Sequence, residues 1–298
     1  MVERERFAVT TGWSNELGRR RAAGYTRLIN SDFGVGAIRD GVVFKTVRDV
    51  DVTVDILEPR GEGPHPVLVY LHGGGFCNFR SRDYRVVALR FAEAGFLVFN
   101  VDYRLAPEAP FPAGYEDCVD AVRWVGTNAH KYHGDARRLG IAGDSAGANL
   151  AAAVAVGAVN DATLPSVSAT VLIYGIYDST SMLEDDITRE AWVRMLSRYV
   201  GESTDAYHQD PRINPFVEAK LLPPSYITVG SNDWLCLRQS EVLATALDTL
   251  GTPYQYVVNK GWDHGFIVLE SVYPEVGEEF DRISTFLYGY LGSTSSVM

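Results

Sequence analysis

The stretch Leu139–Val154, LGIAGDSAGANLAAAV, places Ser145 between Gly143 and Gly147, after a β-type run and before an alanine-rich one. A turn from strand into helix that exposes one side chain at its tip brings backbone segments close together. Residues with little or no Cβ bulk fit there. Gly-x-Ser-x-Gly in that setting is a nucleophile elbow, which presents a serine hydroxyl. A hydroxyl is a weak nucleophile at neutral pH. It needs a base to take its proton, a carboxylate to hold that base in one tautomer, and donors for the oxyanion that forms when a carbonyl is attacked. The chemistry this predicts is acyl transfer.

Of the six histidines, His264 suits the base, because it lies in GWDHGF, a loop between glycines after the last strand-like run. His65 sits in a turn and His208 in a long insertion, while His130 and His133 end a helical stretch with no third metal ligand near them in sequence. In the order Ser…Asp…His the acid falls between Ser145 and His264. Two aspartates there follow strand-like runs: Asp178 after VLIYGIY, and Asp233 within SNDWL after SYITVG. Asp233, on the strand next before the one leading to His264, is the expected acid. Asp178 is expected to cap a helix or brace the insertion, and Asp263 to point into solvent. Donors are offered by LHGGGF (71–76), whose consecutive glycines leave backbone N–H groups open to a substrate. A phosphate-binding loop would need a Lys and a Ser/Thr at Walker spacing, and neither that nor GxGxxG is present. The glycines therefore read as an oxyanion hole completed by the Ala146 N–H, with His72 as a hydrogen-bonding brace. Neither a metal nor an organic cofactor is required.

These residues need a scaffold, and the hydrophobic pattern supplies one. Val42–Val47 and Val52–Leu57 alternate apolar and polar residues, as half-exposed antiparallel strands do. PVLVYL (66–71), FLVFNVD (96–102), LGIAG (139–143), ATVLIYGIY (169–177), SYITVG (225–230) and YQYVV (254–258) are continuous apolar runs. Helical patterns at 83–94, 113–130, 147–159, 238–250 and 275–291 separate them. Strands alternating with helices predict an eight-stranded, mostly parallel sheet covered on both faces, with function at the C-terminal strand ends. Between Tyr177 and Ser225 lies more chain than a crossover needs, including REAWVRMLSRYVG (189–201) and QDPRINPF (209–216). It reads as an insertion over one edge of the sheet.

The bulk composition narrows the function classes. With 27 basic and 38 acidic residues the net charge is −11, which disfavours nucleic acid and docking on anionic membranes. The three cysteines, Cys77, Cys118 and Cys236, are widely spaced and form no CxxC pair, so neither a zinc site nor a disulfide framework is predicted. No apolar run approaches the length of a membrane span. The N-terminal MVERERFAVTTGW has no apolar h-region, and a cytoplasmic location is expected.

Four stretches together resemble the hormone-sensitive-lipase-like (bacterial family IV) carboxylesterases of the α/β-hydrolase superfamily: HGGGF (72–76), DYRLAPEAPFPA (102–113), GDSAGANLA (143–151), and NDWL paired with DHGF. The resemblance implies a Ser145–His264–Asp233 triad, with Gly74, Gly75 and Ala146 donating to the oxyanion. It implies a helical cap built from an N-terminal segment (1–40) and an insertion at about 179–215, over a catalytic domain of residues 41–298. It also implies that Tyr103, Arg104 and Glu108 are scaffold behind the glycine loop. DPRINPF carries Asn214 where the family usually has serine. Phe76, Asp144 and Trp192 are the expected substrate contacts. The expected partner is a small ester, with the chain a monomer or homodimer. The alternatives are an amidase, lactonase or deacetylase on the same triad, or a ligand receptor on the hydrolase scaffold.

Overall fold

The computed structural model describes residues 33–184, 186–201, 207–270 and 273–292. Most of the proposed N-terminal cap, including Trp13, lies outside the described residues. Eight strands are described: β1 (Val35–Val47), β2 (Val50–Pro59), β3 (His65–Leu71), β4 (Leu97–Asp102), β5 (Gly134–Asp144), β6 (Val167–Ile173), β7 (Ser225–Gly230) and β8 (Tyr254–Asn259). They form one sheet in the order β1-β2-β4-β3-β5-β6-β7-β8. β2 runs antiparallel to both its neighbours, and every other pairing is parallel. The helices are α1 (Arg85–Glu93), α2 (Ala113–Asn128), α3 (Ala146–Ala158), α4 (Asp186–Val200), α5 (Leu237–Leu250) and α6 (Val276–Leu291).

The patterns explain the layers. β3 is buried at every position, as a central parallel strand must be when helices cover both faces. The edge strand β1 alternates and is largely exposed. α3 buries Ala146 through Val156 without a break, so it is a core helix, apolar on all sides. α5 stops where Gly251 takes up the left-handed conformation (φ 70°), the usual glycine termination.

Two boundaries differ from those the hydrophobic pattern predicts. The sheet begins at Val35, inside the stretch read as the N-terminal segment (1–40). Register shifts at Val35/Ala37, Arg39/Val42 and Val43/Lys45 interrupt the alternation that would have revealed the strand. β6 ends at Ile173, not Tyr177, because Tyr174 turns the chain with φ 38°. The insertion is seen as a 3₁₀ turn (Ser181–Leu183), α4, and a second 3₁₀ segment (Pro215–Leu221) leading to β7.

One consequence of the topology positions the site. From β3 the chain steps outward to β4, then returns to the other side of β3 as β5. The loops after β3 and β5 therefore diverge at a switch point, where open α/β sheets form their crevice. Leu71, which precedes the glycine loop, pairs with Gly143, which precedes the elbow.

Candidate active site

Ser145 sits between β5 and α3 with φ 52° and ψ −118°. That conformation is strained for a residue with a Cβ and is characteristic of functional turns. The elbow is held by close packing. A Cβ on Gly147 would lie 2.0 Å from the Leu71 carbonyl oxygen, so only glycine lets α3 come this near the end of β3. The Ser145 N–H donates to the Ile173 oxygen at 2.9 Å, which fixes the turn to β6.

The loops after β7 and β8 bring the other two groups in. Asp233 follows β7 by one short turn and His264 follows β8 similarly, with Gly230 paired to Asn259 at the strand ends. His264 Nδ1 lies 2.7 Å from Asp233 Oδ2, and His264 Nε2 lies 3.0 Å from Ser145 Oγ. The Asp233 side chain is 0% exposed and that of His264 34%, so the acid is sealed while the ring stays open to a ligand. Asp233 Oδ1 accepts the N–H groups of Leu235 (3.1 Å) and Cys236 (2.9 Å), which leaves Oδ2 for the imidazole. Asp178 is not brought to His264. Its carboxylate accepts the Thr180 N–H, and its own N–H donates to Gln239. Asp263 accepts a hydrogen bond from the Tyr273 hydroxyl at 2.7 Å rather than standing free in solvent.

The glycine loop turns with positive φ at Gly74 (122°), Gly75 (61°) and Phe76 (63°). Among the described residues no backbone hydrogen bond uses the N–H of Gly74, Gly75 or Ala146. Free amides beside a helix N-terminus form a ready anion site. His72 lies behind this loop, buried and stacked on Tyr103 with centroids 4.3 Å apart, and its Nδ1 is 2.8 Å from the Gly73 oxygen. Tyr103 donates to the His72 oxygen at 2.6 Å. Arg104 forks onto Asp117 through Nε (2.7 Å) and Nη2 (2.8 Å). The DYRLAPE segment thus buttresses the loop from below.

The three residues expected to contact substrate are all buried. Trp192 is fully buried in α4. The Phe76 ring stacks on Tyr199 at 4.0 Å, closing it off. Asp144 is buried behind the loop, bonded to Tyr70 and Gly73 rather than facing a ligand. The half-buried Met195 comes close to the glycine loop, since a Cβ on Gly75 would lie 3.3 Å from its Sδ. The spacing of α4 marks Trp192, Leu196 and Tyr199 as its buried face but carries no signal that Met195 meets the glycine loop. Beyond Phe76 an open recess of about 460 Å³ is lined by Cys77, Asn78, Phe79, Arg80, Asp83 and Leu105.

Asp233, Cys236 and His264 offer ligand atoms within 4.8 Å of one another, but they do not suit a metal. The imidazole Nδ1 and the carboxylate already bond each other. Burial, then the charge of Asp233, pushes the Cys236 thiol well above its usual range, away from the thiolate that a metal needs.

A sequence-family profile described as the alpha/beta hydrolase fold matches residues 68–268. Esterase LipI of Mycobacterium tuberculosis is 32% identical over 288 residues, covering 85% of this chain and 88% of its own. An acetyl esterase of Salmonella schwarzengrund is 30% identical over 233 residues, covering 73% and 70%. Among solved structures, a hyperthermophilic esterase from the archaeon Pyrobaculum calidifontis superposes with a TM-score of 0.78 at 27% identity, covering 91% of this chain and 92% of that one.

Proposed function

Because the chain belongs to the α/β-hydrolase family, in its hormone-sensitive-lipase-like branch, we propose that it is a serine carboxylesterase acting on short-chain esters through Ser145, His264 and Asp233. The observation that carries this reading is the unbroken hydrogen-bonded line from Asp233 through His264 to Ser145. The esterase names of its relatives support the same reaction class. In this mechanism His264 Nε2 takes the Ser145 proton as Oγ attacks the ester carbonyl. The oxyanion is held by the amides of Gly74, Gly75 and Ala146. His264 returns the proton to the leaving alcohol. Water then attacks the acyl-enzyme by the same route. Asp233 holds the Nδ1–H tautomer and balances the imidazolium charge. Three free thiols suit a reducing compartment, and among the described residues no helix is long and apolar enough to cross a membrane.

Acyl-chain preference tests the short-chain part of this reading. α4 closes on the glycine loop through Met195 and through the Phe76–Tyr199 stack, which supports an acyl pocket of limited depth. Each methylene gains about 0.8 kcal/mol while room lasts, and overfilling then costs about 1–3 kcal/mol. Across p-nitrophenyl esters, kcat/KM is expected to peak between acetyl and hexanoyl. In Met195→Ala the optimum should move up by about two carbons, as the lost thioether leaves room. An optimum at palmitoyl, or activation at emulsion interfaces, would make the chain a true lipase.

A further inference from the structure

Asp144, the residue before the nucleophile, is a fully buried carboxyl that the proposed reaction does not use. Its Oδ1 accepts two hydrogen bonds, from the Tyr70 hydroxyl (2.7 Å) and from the Gly73 N–H (2.8 Å). Gly73 lies 71 residues earlier and immediately precedes Gly74 and Gly75, whose amides the proposed mechanism assigns to the oxyanion. The approach is close, since a Cβ on Gly73 would lie 2.5 Å from Asp144 Oδ2. The elbow and the glycine loop thus cross at this pair, and the Gly73–Asp144 bond crosses the switch point between them.

We propose that Asp144 is a positioning residue for the oxyanion hole: by holding the Gly73 N–H it turns the next two peptide planes so that the Gly74 and Gly75 amides aim at the carbonyl oxygen above Ser145. This rests on the serine-esterase reading. Donors act only when they point at where the charge develops, and a small misplacement costs about 10² in rate. The hydrogen bond to Gly73 needs an acceptor in the right place and not a charge, so asparagine, keeping its carbonyl toward Tyr70 and Gly73, replaces aspartate in this role.

Burial raises the Asp144 acid to about 6, against 3.8 for an ordinary aspartate, while Tyr70, the Gly73 N–H, the charge of His264 and Tyr84 hold it partway down. Tyr174 also approaches Oδ2, at 3.4 Å. An acid raised in the folded state makes the protein lose stability as pH rises from the lower value to the higher, and the loss is complete above it. At pH 8 the wild type therefore carries the full cost of the buried charge, and Asp144→Asn does not.

The test uses the full chain with p-nitrophenyl acetate, with active sites counted by a p-nitrophenyl phosphonate. Asp144→Ala is expected to lower kcat about 10²-fold with KM held within threefold, and Asp144→Asn to recover to within about tenfold of wild type. Asp144→Leu, which fills the space but offers no acceptor, gives the same readout if the alanine variant does not fold. Melting at pH 8 is expected to show Asp144→Asn at or above wild type. The proposal is overturned by an acceptor-less variant that keeps wild-type kcat, by an asparagine variant as slow as the alanine one, or by one that melts well below wild type. If Ser145 of the wild type is not labelled at all, the serine-esterase reading falls and takes this proposal with it. A labelled Ser145 with an unaffected Asp144→Ala removes this proposal alone.

Discussion

Ser145→Ala is expected to lose about 10⁴–10⁶ of the esterase rate and to keep its fold. That corresponds to roughly 5–8 kcal/mol of transition-state stabilisation. In the proposed mechanism the loss is large because the serine Oγ forms the covalent bond, and it lies 3.0 Å from His264 Nε2, the proposed base. The fold survives because alanine keeps the Cβ at φ 52° and introduces no new contact in the elbow. The Ala146 amide also stays in place, so a small residual rate from the oxyanion donors is expected. The measurement is hydrolysis of p-nitrophenyl butyrate beside a melting curve. Activity within tenfold of wild type with an unchanged melting temperature would remove Ser145 from the nucleophile's role.

Asp233→Asn is the second large effect. In the equivalent substitution of a serine protease, the handicap is a wrong histidine tautomer and a loss of about 10⁴. The local bonds here dictate the same outcome. The Leu235 and Cys236 N–H groups both point at Oδ1, so an asparagine there must turn its carbonyl to them. Its NH₂ then faces His264 Nδ1, which has to accept. The ring proton is forced onto Nε2, where it blocks uptake of the serine proton. Asp178→Asn is expected to stay within about tenfold of wild type, since that side chain only closes a turn on Thr180. Side-by-side kcat values decide it, and a larger loss in Asp178→Asn would move the acid to that residue.

Much of this architecture is legible in the amino-acid sequence. The apolar runs locate the strands because a parallel sheet covered on both faces leaves its central strands no solvent side, and β3 is the clearest case. The candidate triad is legible because strand-end loops carry its members and their chain order is informative. The start of β1 is hidden by its bulges, and the end of β6 by a backbone twist at Tyr174 that an aromatic residue gives no warning of. Asp144 departs from expectation for a different reason. A polar residue beside a nucleophile suggests a ligand contact, but the direction of its side chain depends on Tyr70 and Gly73, far away in sequence. Trp192 and Phe76 are hidden in the same way: large aromatics near a site line it or support it according to packing that no local period encodes. The Phe76–Tyr199 stack joins the glycine loop to the insertion and forms only once both are folded.

The most direct test of the central claim is covalent titration of the nucleophile. The full chain is treated with a p-nitrophenyl phosphonate, the released p-nitrophenol is counted, and the modified peptide is mapped by mass spectrometry. A single adduct per chain is expected on Ser145, with esterase activity falling in proportion to labelling and His264→Ala labelling slowly. Full labelling with activity retained, or activity lost while the adduct sits on another residue, would contradict it.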